Sequence, residues 1–178
     1  MTYCCKKRLE GRPRINNTLL FRRDELLLDI ENYAFVTADI MPTEDAHRKH
    51  QVFDIAQDGN EDLVTRILNL AYTECLEFLY PYTKTPCRQG DSHDDELIVP
   101  QSYEFALALP EDFSHTTVLL LKELIHDYFV CRVLTEWLGI TNSEAHTYWR
   151  VRLEGIVDRI KRALLSRRKP LRRKQSMF

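Results

Sequence analysis

Residues 116–140 include the run VLLLKELIHDYFVCRVLTEWLGI, which is apolar on almost every side of a helical wheel. A helix of that length is a rod of roughly 35–40 Å, and one that is apolar nearly all round has to be covered on several flanks. Its polar residues are few: Lys122, Glu123, His126, Asp127, Arg132 and Glu136. They still weigh against a bilayer span, because a Lys, Asp or Arg at the centre costs about 2.5–3.5 kcal/mol. The run therefore predicts the inner helix of a helical bundle, with no membrane partner.

Such a helix needs neighbours, and the flanking sequence offers them. Leu27, Ile30, Ala34, Ala38 and Met41 recur at three- and four-residue spacing. This predicts a first helix over about 22–41, stopped by Pro42 because proline cannot continue the hydrogen-bond ladder. Thr43 is a candidate N-cap for a short helix reaching about Gln57. A longer helix is expected over 61–79, with Leu63, Ile67, Leu70, Ala71, Glu74 and Phe78 in register and Tyr80-Pro81-Tyr82 at its end. Gly139 marks the end of the central helix, and Thr141-Asn142-Ser143-Glu144 caps a last one. The stripe of that last helix is Ala145, Trp149, Leu153, Ile156, Ile160 and Ala163/Leu164. One domain accommodates all of this in 178 residues.

Before the central helix the period changes from 3.6 to 2. In YEFALALP, Tyr103, Phe105, Leu107 and Leu109 alternate with Glu104, Ala106 and Ala108, the pattern of a strand with two unlike faces. Glu96–Val99 is the expected partner, joined through Pro100-Gln101-Ser102 to give a ribbon at about 96–109. A lone two-stranded ribbon is marginal in water. It has to lie on the helices or take a strand from another subunit, with Tyr103, Phe105, Leu107 and Leu109 as the strand-addition edge. The fold class expected is mainly α: a helical bundle of about four main helices with one small two-stranded β-ribbon inserted before the central helix. This bundle domain spans 22–165, between a basic N-terminal arm (1–21) and a basic C-terminal tail (166–178).

The formal net charge of −2 conceals a strong segregation. Residues 1–23 carry seven Lys/Arg against one acid, and residues 159–178 carry nine Lys/Arg and no acid. The stretch between holds nine basic and 26 acidic residues, so it is −17 while the ends sum to +15. The candidate contacts at the ends are Lys6, Lys7 and Arg8 in the arm, and Arg159, Lys161, Arg162, Arg167, Arg168, Lys169, Arg172, Arg173 and Lys174 behind the last stripe. Three readings suit them: a grip on the acidic body of a neighbouring copy, non-specific contact with the phosphates of DNA, or a solvated tail.

Candidate chemistry is sparse. The five cysteines are odd in number and contain no C-x-x-C, so reduced thiols in a cytoplasm are expected, and no early apolar run marks a secretory signal. Glu44/His47 and Glu123/His126 form two E-x-x-H pairs. Di-metal carboxylate bundles use two such pairs plus a glutamate from each of two other helices, for which Glu31 and Glu74 or Glu77 are on offer. But Glu44 lies two residues after Pro42 in the weakest helix, and the simpler expectation is a buried His126 bonded to a neighbouring carboxylate. The loop DSHDDE at 91–96 lacks the D-x-D-x-D-G order of a calcium loop and reads as solvated. No glycine-rich phosphate loop or nucleophile elbow occurs. The expectation is no catalytic residue, no bound metal and no cofactor.

The segments SYEFALALPEDF and LLLKELIHDYFVCRVLTEWLGITNSEAHTYW resemble in pattern proteins of Bacteroides phages and prophages. With the ribbon and the charged arms, residues 60–165 look like the head–tail connector, or neck (adaptor) ring, proteins of tailed bacteriophages. That resemblance implies a structural virion protein: a homo-oligomeric ring, commonly dodecameric, between portal and tail, assembled in the cytoplasm of a bacterial host. Its partners would be the portal, neighbouring neck or tail proteins and the DNA passing through. The ribbon and both arms would reach adjacent subunits, while an acidic lining would let DNA slide. A nucleic-acid-associated helical protein and a di-metal carboxylate enzyme are the alternatives.

Overall fold

The structure is a computed structural model that describes residues 14–40, 46–57, 59–85 and 94–165. In chain order they form strand β1 (Arg14–Arg22), helix α1 (Arg23–Asp39), α2 (Ala46–Phe53) running into a 3-10 turn (Asp54–Ala56), α3 (Glu61–Phe78), the single-turn α4 (Tyr80–Thr83), β2 (Ser102–Pro110), α5 (His115–Thr141) and α6 (Ser143–Leu165). The expected class holds: a helical bundle with a two-stranded antiparallel sheet.

Helix α5 is the axis. Phe129, Val130 and Cys131 are consecutive, so their side chains point about 100° apart, and all three are buried. Coverage comes from α6 on one side and from α1, α2 and α3 on others. Helix α1 turns Leu26, Ile30, Ala34 and Ala38 inward, and α6 turns Trp149, Ile156, Ile160 and Ala163 inward, both close to the faces read from periodicity. Helix α3 differs. Its buried face is Val64, Thr65, Leu68, Ala71 and Cys75, which keeps Ala71 of the expected Leu63, Ile67, Leu70, Ala71, Glu74 and Phe78 and otherwise lies a residue beyond that row, and Leu63 and Leu70 are exposed. The apolar residues of α3 cover more than half the wheel, and in such a sequence the tertiary neighbours choose the row.

Gly139 does not end α5. The helix continues to Thr141, and the break falls at Asn142, which is extended (φ −150°, ψ 99°). Its side chain caps α6: the Glu144 and Ala145 N–H groups donate to Asn142 Oδ1 at 3.1 and 3.2 Å. A cap of this kind contributes about 1 kcal/mol. The absent side chain at Gly139 leaves room for the His146 ring, which would lie 3.4 Å from a Cβ there.

The ribbon departs furthest from expectation. The partner of β2 is not Glu96–Val99, which forms no strand, but β1, paired antiparallel in the register Arg14↔Pro110 to Arg22↔Ser102. Residues 14–21, expected within the arm, thus belong to the core domain. Their mixed sequence RINNTLLF contains one alternating stretch, in which Leu19 and Phe21 face in and Thr18, Leu20 and Arg22 face out. Tyr103, Phe105, Leu107 and Leu109, expected to offer an edge to another subunit, are buried in the core of their own chain. The ribbon's need for a mate and a cover is met internally, because nine residue pairs and a helix-facing apolar side stabilise it without a partner.

A ring cluster seals it to α5. Phe21 meets Phe105 edge-on at 5.6 Å and Phe129 at 5.8 Å, while Tyr103 stands 5.2 Å from Phe129 and Tyr72 of α3 lies 4.9 Å from Phe105. Pairs at these separations add roughly 0.5–1.5 kcal/mol each beyond the area they bury. Arg23, buried at the β1–α1 junction, ties the ends together. Its N–H donates to the Gln101 carbonyl at 3.1 Å, and its guanidinium donates to Glu61 at 2.7 Å and to Thr65 at 3.0 Å.

Phe21→Ala is expected to cost about 3–5 kcal/mol, because Phe21 is 3% exposed and touches three rings. Urea unfolding followed by circular dichroism measures it. A near-neutral result would return residues 14–21 to the status of a free arm.

Candidate functional site

Three kinds of polar cluster and one large cleft are available to carry a function. The first cluster holds His126, whose Nε2 lies 2.8 Å from Asp29 Oδ2 across α5 and α1. The carboxylate bond is the one expected from the sequence, but the ring is half-buried rather than buried, beside the Phe21 ring at 6.5 Å. Glu123, its neighbour in the E-x-x-H pair, faces Lys122 instead. Glu44 and the His47 side chain lie outside the described residues. Among those described, no group of three or more His, Cys, Asp or Glu is arranged to hold a metal ion.

The second cluster is a buttress between α3 and α5. Glu74 accepts from Tyr128 OH at 2.5 Å and from Arg132 at 3.2 and 3.4 Å, and Arg132 also pairs with Glu136. Burial and the bond to Glu74 hold the Tyr128 phenol well above its ordinary range. Burial alone would disfavour the charged Arg132, but Glu74 and Glu136 outweigh it and raise its pKa. A carboxylate so fully used is a strut between helices. The thiols are similarly inert: burial pushes Cys131 up to about 11, against a smaller opposing pull from Arg152, and raises Cys75 further, so neither supplies a thiolate at neutral pH.

The third is the basic surface. Arg159, Lys161 and Arg162 are exposed on the last turns of α6, with Arg162 Nε donating to the Asp158 carbonyl at 3.2 Å. The structure brings these three together. Lys6, Lys7 and Arg8, and Arg167, Arg168, Lys169, Arg172, Arg173 and Lys174, lie outside the described residues.

The cleft is the feature that periodicity missed. It has a volume of about 920 Å³ and opens between the end of α1 and the α5–α6 corner, with Gln51 of α2 at its edge. Tyr33 and Trp149 form its back wall, in T-shaped contact at 5.3 Å, with Tyr148 against Trp149 at 5.5 Å. Arg152 lies over both the Tyr33 and Trp149 rings, at 5.4 and 5.1 Å, an arrangement that fixes its guanidinium through cation–π attraction. Around this wall Ile40 (79% exposed), Ile140 (76%), Tyr148 (63%) and Val36 (56%) present carbon to solvent. Sequence did hold a signal, since Ile140 and Tyr148 both fall off the buried stripes of their helices. Their meeting with Val36 and Ile40, a hundred residues away, had none.

Comparison with protein-family models, with curated proteins and with solved structures finds no match to this chain. No helix among the described residues is long and apolar enough to cross a membrane.

Burial pushes the Tyr103 phenol up to about 12, slightly opposed by the nearby Arg23 charge, and Tyr128 higher still. Above pH ~10 the unfolded chain has lost these protons while the fold keeps them, so the unfolded state binds fewer protons and stability falls with rising pH. The contribution is complete below pH ~10 and is lost as pH climbs towards 12. Tyr72 is raised as well, by burial and the Glu104 charge, so ultraviolet titration should show late-ionising tyrosines titrating together with loss of helix signal. Free ionisation of all tyrosines in a folded chain would contradict the burial described.

Proposed function

We propose that this chain is a structural subunit of a homo-oligomeric ring, of the kind that joins portal and tail in a tailed phage around the DNA channel. The observation that carries the assembly part is the cleft at the α1/α5–α6 corner. Trp, Tyr and Arg in a concave site rimmed by exposed aliphatic side chains are the composition of an interface hot spot. Exposed apolar groups gathered in this way cost free energy in water until something covers them. The virion part rests on the resemblance of residues 60–165 to connector proteins. It no longer draws on the ribbon, whose mate lies in the same chain.

The polar clusters favour a non-catalytic role, since Asp29–His126 and Glu74–Tyr128–Arg132 join helices and, although they border clefts, have spent their polar groups on one another. A second reading, contact with nucleic acid, has one observation behind it: Arg159, Lys161 and Arg162 share an exposed helix end that leads into six further Lys/Arg. In that case affinity should fall steeply with salt, by about 0.9 in log K per log salt for each phosphate contacted.

Light scattering across a concentration series should show self-association of the full chain. Ile140→Lys with Tyr148→Lys should weaken it at least about 30-fold, the ~2 kcal/mol or more that central anchors carry, and should remove any rings seen by electron microscopy. A chain that stays monomeric at every concentration, with no ring formed on an added portal, ends the proposal.

A further inference from the structure

A smaller cleft of about 390 Å³ lies between α3 and β2. Its floor is the half-buried Tyr72, backed by the buried Tyr103 at 5.5 Å, and both are tied down: Tyr72 OH donates to the Glu104 carbonyl at 2.8 Å, and Tyr103 OH donates to Asn69 Oδ1 at 3.0 Å. Asn69 in turn donates to the Ile98 carbonyl at 2.8 Å, which holds the 94–100 segment as the outer wall. Ile98, Pro100 and the two rings give the cleft a carbon interior, and Glu96 and Glu104 stand on its rim.

These two carboxylates distinguish it. The large cleft has both Glu144 and Arg152 in its lining, and the three others mix acids with Arg22 and Arg23, with Arg132 and Lys161, or with Arg22, Lys122 and His126. The α3–β2 cleft has two acids and no cation in its lining. Neither Glu96 nor Glu104 forms an ion pair with a described residue. A rigid tyrosine floor with unspent carboxylates at its edge suits an arginine, whose plane stacks on a ring while its N–H fork meets an acid.

The chain itself carries a segment of that chemistry. Residues 166–178 hold six Lys/Arg and no acid, with Leu171 between Pro170 and Arg172, and can reach at most about 45 Å when extended. They follow α6, which packs on α5, whereas the cleft is built by α3 and β2. We infer that the α3–β2 cleft receives the basic tail of a neighbouring copy, an arginine of the 172–173 pair lying over Tyr72 between Glu96 and Glu104. This rests on the reading of the chain as an assembly subunit and names one contact of that assembly.

The test uses two full-length variants. One reverses the cleft (Glu96→Arg with Glu104→Arg, both exposed positions) and the other reverses the tail (Arg172→Glu with Arg173→Glu), with unchanged circular dichroism required of each. Each alone should associate at least tenfold more weakly than the parent by sedimentation velocity. An equimolar mixture should recover association, because each copy then meets a tail of opposite sign. Association indifferent to both reversals overturns the inference and leaves the ring standing. Loss without recovery on mixing also overturns it, since a tail held in its own chain behaves in that way. So does a tail reversal that abolishes binding to a DNA duplex but spares self-association. A parent monomeric at every concentration removes the assembly reading itself.

Discussion

Contact between the ribbon and α5, through the rings of Phe21, Phe105, Phe129, Tyr103 and Tyr72, is the interaction on which the rest of the fold depends. It joins four stretches of chain separated by tens of residues, and each needs the others. The ribbon is too small to persist in water without a surface to lie on. α5 is apolar on too many sides to stay soluble without that cover. Once the rings are packed, Arg23 has both its partners in place, and α1 and α3 start from fixed points beside the sheet. The polar struts have the same logic: His126 to Asp29 and Tyr128 to Glu74 are the places where a nearly all-apolar rod needs a direction. A satisfied polar pair costs little when made and much when broken, so these pairs set the rotation of α5 without adding greatly to its stability.

The long-period features were legible in the sequence because they are local. The extent of α5, the stripes of α1 and α6 and the alternation of β2 each follow from a single segment's burial, and a segment's pattern records its own burial. Pairing is not local. RINNTLLF alternates over only its last few residues, and its mate begins eighty residues later. A nearer, more acidic stretch, Glu96–Val99, offered a simpler hairpin. What decides between them is the apolar face: Leu19 and Phe21 have something to bury against Phe105 and Phe129, while Glu96 has not. The row on α3 was misjudged for a related reason, since Leu63 and Leu68 fit equally well until α5 and β2 are present to select one.

Internal pairing of the ribbon changes where intersubunit contact has to be sought. A sheet edge recruits partners by backbone hydrogen bonds and is indifferent to most side chains. The α1/α5–α6 cleft would recruit a partner by shape and by aromatic and aliphatic contact, which selects by side chain. Its position matters, because it lies at the turn where α5 gives way to α6 and next to the end of α1. A partner seated there would bridge three helices at once and fix the corner that Asn142 alone now holds. Arg152, lying over the Tyr33 and Trp149 rings, would already be placed before any partner arrived. Such preorganisation spares the entropy of ordering a long side chain on binding.

The charge segregation bears on the same point from a longer range. A body of −17 repels other bodies, and in a ring of identical copies that repulsion grows with each subunit added. Apolar contact at one cleft therefore has to work against a unfavourable field, unless each copy also brings countercharge. Of the +15 on the two ends, residues 1–13 and 166–178 carry +9, on segments long enough to lie over a neighbour, and the rest sits on β1, α1 and α6. Surface charge of this kind contributes little per pair but removes an opposing field that is common to every contact. Short-range apolar anchoring and long-range neutralisation are thus separate requirements, met by separate parts of the chain: the corner cleft for the first and the basic ends for the second. Because salt screens only the long-range part, association through both should respond to ionic strength in two opposed ways. Screening would relieve the repulsion between bodies while it loosened a grip by the tails, so the assembly proposed would be strongest at an intermediate ionic strength rather than at either extreme.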